Sequence, residues 1–186
     1  MAKVNRNVVI DGAQGRLGRQ LLLKRDKAGR TILSAKPVFD PDRVFTPAQQ
    51  AQQLAFRQAV AYALSMRDNP LYARLAAGTP RTPRNIAIAD WFHPPEILEL
   101  DLDRYTGHAG QLIRVKAVDN VRVETLTLSI SAADGTPLEQ GPATRVDGLY
   151  WEYLTTASAA GSRPLRVLAC AQDLPGHTTR LEKEKP

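Results

Sequence analysis

Gly12, Gly15 and Gly18 follow the apolar run Val8-Val9-Ile10 at three-residue spacing. Glycines so placed after a strand can let a helix N-terminus approach an anionic phosphate. That chemistry needs a helix directly after the turn, a second strand ending in an acid, and further βα units. The chain instead reaches a capped helix at Thr46 and a strand-only pattern by Glu96, so Gly12, Gly15 and Gly18 are read as serving turns and close backbone contacts. The same region is strongly cationic. Lys3, Arg6, Arg16, Arg19, Lys24, Arg25, Lys27 and Arg30 offer phosphate contacts, with Arg16, Arg19, Lys24, Arg25, Lys27 and Arg30 forming the candidate assembly or anion-contact set. No aromatic residue lies between Met1 and Lys36, so a base-stacking platform is lacking and nucleic-acid binding through this arm would be nonspecific.

Other reactive side chains are scattered. His93, His108 and His177 lie far apart in turn-like settings and are read as turn or surface histidines, so neither a metal nor a cofactor is expected. Asp101 and Asp103 share one face of a strand and are read as solvated edge charges rather than an acid–base pair. Asp119 and Asp173 are expected to cap turns. Cys170, the single cysteine, excludes an intramolecular disulfide and a cysteine-based zinc site; in the apolar run 165–171 it is expected to be a buried, inert thiol.

The segment from Val8 to Leu21 resembles the first strand and glycine turn of short-chain dehydrogenases, which implies dinucleotide binding through Gly12 to Gly18. The Tyr-x-x-x-Lys spacing of that family's catalytic pair is missing. Tyr62, Tyr72, Tyr105, Tyr150 and Tyr153 all lack a lysine four residues on. No catalytic residue is predicted.

The elements that must position these residues fall into three parts. A length of 186 residues, 43% hydrophobic and 24% charged, is that of an ordinary globular protein with room for a β-sandwich and a smaller N-terminal region. No apolar stretch is long enough for a membrane span and no apolar signal core follows Met1, so a cytoplasmic protein without membrane contact is expected. Charge is uneven: residues 1–45 carry +6, residues 46–94 carry +3, and residues 95–186 carry −3. Such a split suits an anionic partner, or the basic arm of one subunit meeting the acidic module of another.

Residues 1–45 are expected to form a basic β-hairpin arm and linker, pairing residues 20–25 with 30–35 across Asp26-Lys27-Ala28-Gly29. Residues 46–94 are helical. Thr46-Pro47-Ala48-Gln49 supplies a cap, a first-position proline and a capping box, with Leu54, Phe56, Ala59, Val60, Ala63, Leu64 and Met66 forming a broad apolar face. Asn69-Pro70 opens a second helix ending at Gly78, and Thr82 caps a third over residues 85–92, for which a strand is the alternative. From Pro95 the period changes to two, and seven short strands separated by turn residues predict a sandwich. Ile113, Val115, Ala117, Trp151 and Val167 should face its core. In residues 121–131 the inward set passes from Val121 and Val123 to Leu126, Leu128 and Ile130, which predicts a β-bulge near Glu124.

This C-terminal half resembles the bacterial immunoglobulin-like modules found in many surface, phage and cytoplasmic proteins. The resemblance rests on the Gly107/Gly110 turn, residues 113–119, the Trp151 strand and residues 167–177, where His177 stands in place of the usual asparagine. It implies a mainly β fold with a helical insert and carries no catalytic residue. The N-terminal half is similar in outline to N-terminal parts of uncharacterised bacterial proteins. The function expected is non-enzymatic: a structural protein that self-associates through its N-terminal β arm into a homo-oligomer, ring or filament, and displays the sandwich. The alternative is a nonspecific nucleic-acid-associated protein using the basic arm.

Overall fold

The structure is a computed structural model that describes residues 2–4, 10, 12–26, 28–159, 161 and 164–186, with the backbone alone for residues 2–4. The chain is mainly β with a helical insert, and it divides into two compact units, residues 1–88 and 89–186.

In the first unit a sheet of order β1-β4-β3-β2 is formed by β1 (Ala2–Val4), β2 (Gly15–Leu17), β3 (Leu21–Arg25) and β4 (Thr31–Ala35). The expected hairpin is its centre, with Leu23 opposite Leu33 and Lys24 opposite Ile32. Its turn closes because Gly29 takes φ 76° and its N–H donates to the Asp26 carbonyl at 3.0 Å. Two further strands flank the hairpin, so the arm is a four-stranded sheet and not a hairpin alone.

Three helices follow: α1 (Pro47–Ser65), α2 (Pro70–Ala76) and α3 (Pro83–Trp91). Thr46 and Gln49 form the capping box, Asn69 Oδ1 accepts from Leu71 N, and Thr82 Oγ1 accepts from Asn85 N. The apolar face of α1 is narrower than its residue pattern suggests. Ala59 and Ala63 are buried, but Leu54, Phe56 and Leu64 are 56%, 51% and 66% exposed. Small residues at i and i+4 make the buried stripe, beside an edge-on pair of Tyr62 and Tyr72 whose hydroxyls lie 2.6 Å apart.

The second unit holds β5 (Glu96–Asp101), β6 (Leu112–Val118), β7 (Val123–Ala132), β8 (Pro137–Pro142), β9 (Thr144–Asp147), β10 (Tyr150–Leu154), β11 (Leu165–Asp173) and β12 (Thr178–Lys185). Two four-stranded sheets, ordered β5-β6-β10-β9 and β12-β11-β7-β8, contribute side chains to one apolar core. This is the ABED and CFG order of an immunoglobulin-type sandwich with an added C′ strand. There are eight strands and not seven, because residues 137–147 make two strands that lie in different sheets. The chain changes sheets at Ala143, whose N–H donates to the Leu126 carbonyl at 2.8 Å.

The alternation holds where it was read. Ile113, Val115, Ala117, Trp151 and Val167 are buried, and the bulge falls on Glu124: Gln172 pairs with Thr125 and Asp173 with Val123, leaving Glu124 over. Cys170 departs from the expectation of a buried thiol. In β11 the buried residues are Leu165, Val167, Ala169, Ala171 and Asp173, so Cys170 has the opposite parity and is partly exposed. The apolar run 165–171 is half core and half outer face.

The bulge yields a pair of opposed outcomes. Deleting Glu124 leaves Val123 and Leu126 two residues apart, in regular alternation, so stability should change by under about 1 kcal/mol. Deleting Thr127 reverses the parity on one side of the strand and turns side chains worth roughly 1.5–3 kcal/mol each out of the core. Urea denaturation should find a cooperative transition for the first variant and none for the second.

Candidate functional site

Gly15 is the first residue of β2, and the chain runs from there through a turn into β3. No helix N-terminus stands after the turn, so the phosphate-binding geometry is not built at Gly12 to Gly18. These glycines have φ of 77°, 114° and 64°, and a Cβ at any of them would meet nothing within 4 Å. Backbone conformation, not close contact, explains them.

Of the cationic set, Arg16, Arg19, Lys24, Arg25 and Arg30 are all exposed, while Lys27 lies outside the described residues, as does Arg6. Register places Arg16 opposite Leu22 and Lys24 opposite Ile32, so Arg16 and Lys24 share one face of the sheet. Arg25 is on the other face with Leu23, and its Nε donates to the Gly29 carbonyl at 3.3 Å. Arg30 is occupied by Asp26 at 2.6 Å. The Arg30 backbone N–H, with the guanidinium behind it, holds the Asp26 carboxyl below its ordinary value. The structure therefore gathers Arg16 and Lys24 and ties Arg25 and Arg30 into the hairpin turn.

Beyond the arm lies a feature that residue types alone did not single out. Every residue from 35 to 52 is exposed, and Val38, Phe39 and Val44 reach 92%, 72% and 88%. They flank a turn in which Asp40 Oδ1 accepts from Asp42 N at 3.0 Å. A segment read as a linker thus carries the most exposed large apolar side chains described.

In the sandwich, three polar groupings stand out. The first joins the two sheets: the hydroxyl of Tyr153 (β10) donates to Glu139 Oε1 (β8) at 2.8 Å, as do Thr156 N at 2.5 Å and the Thr156 hydroxyl at 2.8 Å, while Ala157 N reaches Oε2 at 3.2 Å. Burial alone would raise the Glu139 carboxyl, but these hydrogen bonds outweigh it and hold the group below its ordinary value. Burial and the carboxylate together push Tyr153 up to about 12. Gly141 leaves room for the ring, since a Cβ there would lie 2.9 Å from Tyr153 Cε2.

The second grouping is Asp173, whose Oδ1 accepts from His177 N at 2.6 Å and whose Oδ2 faces His177 Nδ1 at 3.2 Å. The imidazole in turn meets the Trp91 ring nearly edge-on at 4.8 Å. Burial pushes the Asp173 carboxyl up, against the opposing pull of the His177 hydrogen bonds. Asp173 thus closes the β11–β12 turn as expected, and Asp119 does the same for Val121 and Arg122, each at 2.7 Å. The third is on the outer face of the first sheet, where Arg114 meets Glu152 at 2.6 Å across β6 and β10. The pairing with Glu152 raises the Arg114 pKa.

Of the other residues singled out, His93 Nδ1 contacts the Ala89 carbonyl at 2.6 Å, the backbone carbonyl of His108 accepts from the Thr155 hydroxyl, and Asp101 Oδ1 accepts from Asp103 N at 2.9 Å. The two aspartates make an Asx turn and are not poised as an acid–base pair. Among the described residues, no group of three or more His, Cys, Asp or Glu side chains could hold a metal ion, and no helix is long and apolar enough to cross a membrane.

No family model matches the chain, and no curated protein does. Solved structures with partial likeness include an engineered protein, 17% identical with a TM-score of 0.37, covering 56% of this chain and 22% of that one. Another is a conjugative transposon lipoprotein from Bacteroides eggerthii, 10% identical with a TM-score of 0.28, covering 48% and 92%. A third is a lipoprotein from Bacteroides thetaiotaomicron, 19% identical with a TM-score of 0.27, covering 50% and 77%. The chain spans about a fifth of the length of the engineered protein. Likeness of this degree carries no argument about what the chain does.

The Glu139 bridge gives a pH test with a defined sign. Its folded carboxyl titrates below the unfolded one, so the stabilisation is complete above the ordinary value of 4.5 and is lost as pH falls through the depressed folded value. Glu139→Gln should cost about 1–2 kcal/mol at pH 7, the lower range for hydrogen bonds to a charged group that is partly solvated. The gap between wild type and variant should narrow progressively as pH falls below 4.5. Urea midpoints at a series of pH values measure both.

Proposed function

We propose that this is a cytoplasmic, non-enzymatic assembly protein that self-associates through its N-terminal region and displays a bacterial immunoglobulin-like module. The observation that carries the reading is the exposed stretch 35–52. Val38, Phe39 and Val44 stand almost wholly in water, between a β arm and the first turns of a helix. Apolar side chains held in this way mark a surface that is covered in the working state. The adjoining sheet adds strand edges: β2 is exposed throughout and ends its order, so its backbone offers hydrogen bonds to another chain. The charge split, positive before residue 95 and negative after it, favours association between unlike parts of two copies. The non-enzymatic reading is supported by Glu139 and Asp173, whose oxygens are taken up by structural partners: Tyr153 and Thr156 of the facing sheet and its loop for Glu139, and His177 of its own turn for Asp173.

Light scattering at micromolar concentration tests the proposal. The full-length chain should be oligomeric and a chain lacking residues 1–45, cut just before the Thr46 cap of α1, should be a folded monomer. A full-length protein that is already monomeric would end it.

A second reading has one observation in its favour, the placing of Arg16 and Lys24 on one exposed face of the arm. On that reading the arm contacts nucleic-acid phosphates without regard to sequence. Binding to duplex and single-stranded DNA or RNA should then weaken steeply as salt rises, by roughly one power of the salt concentration per phosphate contact. Gel-shift titrations that detect nothing at low ionic strength would remove it.

A further inference from the structure

We propose that residues 38–45 of one copy dock into the groove between the end of α1 and the start of α3 of a second copy. The inference rests on the self-association reading and names the two surfaces that meet. The acceptor is a groove of about 310 Å³ whose lining includes Ala63, Leu64, Met66 and Pro83, with the cationic Arg67 and Arg84 among its residues. Leu64 is 66% exposed, so an apolar wall is left in water. Arg67 touches Asp68 at 3.4 Å, but both side chains are largely solvated, at 74% and 86% exposed. An ion pair of that kind contributes little and leaves the guanidinium available.

The donor matches this chemistry. Asp40-Pro41-Asp42-Arg43 is a turn, with Asp40 Oδ1 accepting from Asp42 N at 3.0 Å and the Asp40 carbonyl from Arg43 N at 3.3 Å. Proline at its second position is pre-set for the turn, which lowers the entropy lost on docking. Val38 and Phe39 precede the turn and Val44 and Phe45 follow it. The Arg43 guanidinium carbon sits 4.9 Å from the centre of the Phe45 ring, so this cation is engaged within the segment. Asp40 and Asp42 remain as the acidic groups at the turn. Apolar side chains flanking two carboxylates complement an apolar groove that carries two arginines.

The segment does not fill the groove of its own chain, since every residue in it is exposed. Donor and acceptor are different surfaces, so the contact is head-to-tail. Repeated from copy to copy, it closes into a ring or continues as a filament.

Charge reversal tests the pairing, with full-length chains compared by light scattering at matched concentrations. The double variants Asp40→Arg/Asp42→Arg and Arg67→Asp/Arg84→Asp change exposed positions and should keep the wild-type circular dichroism. Each should weaken self-association by about tenfold or more, and a chain carrying all four changes should recover to within about threefold of wild type. If wild type associates and neither double variant weakens it, or if the fourfold variant stays as weak as the double variants, the pairing is wrong and the groove has another occupant. Self-association itself would survive that result. A monomeric wild type would overturn both.

Discussion

Each sheet of the sandwich can send only alternate side chains inward, and both sheets must fill the same core. Leu126, Leu128 and Ile130 of β7 meet that requirement together with Leu165, Val167, Ala169 and Ala171 of β11 and Ile113, Val115 and Ala117 of β6. Parity is therefore the quantity that the chain cannot lose. A one-residue slip would turn a whole strand inside out. The bulge at Glu124 is the device that keeps Val123 and Leu126 on one side although they are three positions apart, and similar irregularities occur where β5 meets β6, β7 meets β8 and β9 meets β10.

With the core set, the margins of the sandwich need closure, and each is closed by chemistry that follows from its position. Where β8 gives way to β9 the chain itself passes from one sheet to the other, and Glu139 receives Tyr153 and Thr156 from the opposite sheet and its following loop. At the other margin, Lys183 and Lys185 of β12 donate to the carbonyls of Leu100 and Leu102, at 3.2 Å and 2.8 Å. Leu100 lies in β5, the edge strand of the facing sheet, and Leu102 just past its end, so Lys183 occupies an edge acceptor that would otherwise invite another strand and Lys185 ties down the chain that follows. The outer face of the first sheet is laced by Arg114, Glu152, Lys116 and Tyr150. By contrast, residues 35–52 of the first unit leave Val38, Phe39 and Val44 uncovered.

Much of the architecture was legible in residue order because it depends on local rules. Capping by Thr46, Asn69 and Thr82, the Asp26 to Gly29 turn, inward parity in β6 and at Trp151 of β10, and the bulge near Glu124 all follow from period, turn chemistry and caps. In the sandwich, strand counting failed where polar residues 137–147 disguise two strands that belong to different sheets, and in the arm it missed β1 and β2 on either side of the hairpin. The thiol of Cys170 was misplaced because an apolar run was read as all core, when alternation places half of it outside. On α1, residue type suggested a broad buried face, but only Ala59 and Ala63 are buried.

The basic arm and the sandwich were determined by sequence alone: charge is a property of composition, and alternation is a property of backbone geometry. What tertiary structure decided is which side chains remain uncovered. No periodicity reveals that Val38, Phe39 and Val44 stand in water or that Leu64 borders an open groove, because exposure depends on which distant segments fold against a residue. The same holds for Glu139, whose partners lie 14 to 18 residues further on and meet it only when two sheets face each other.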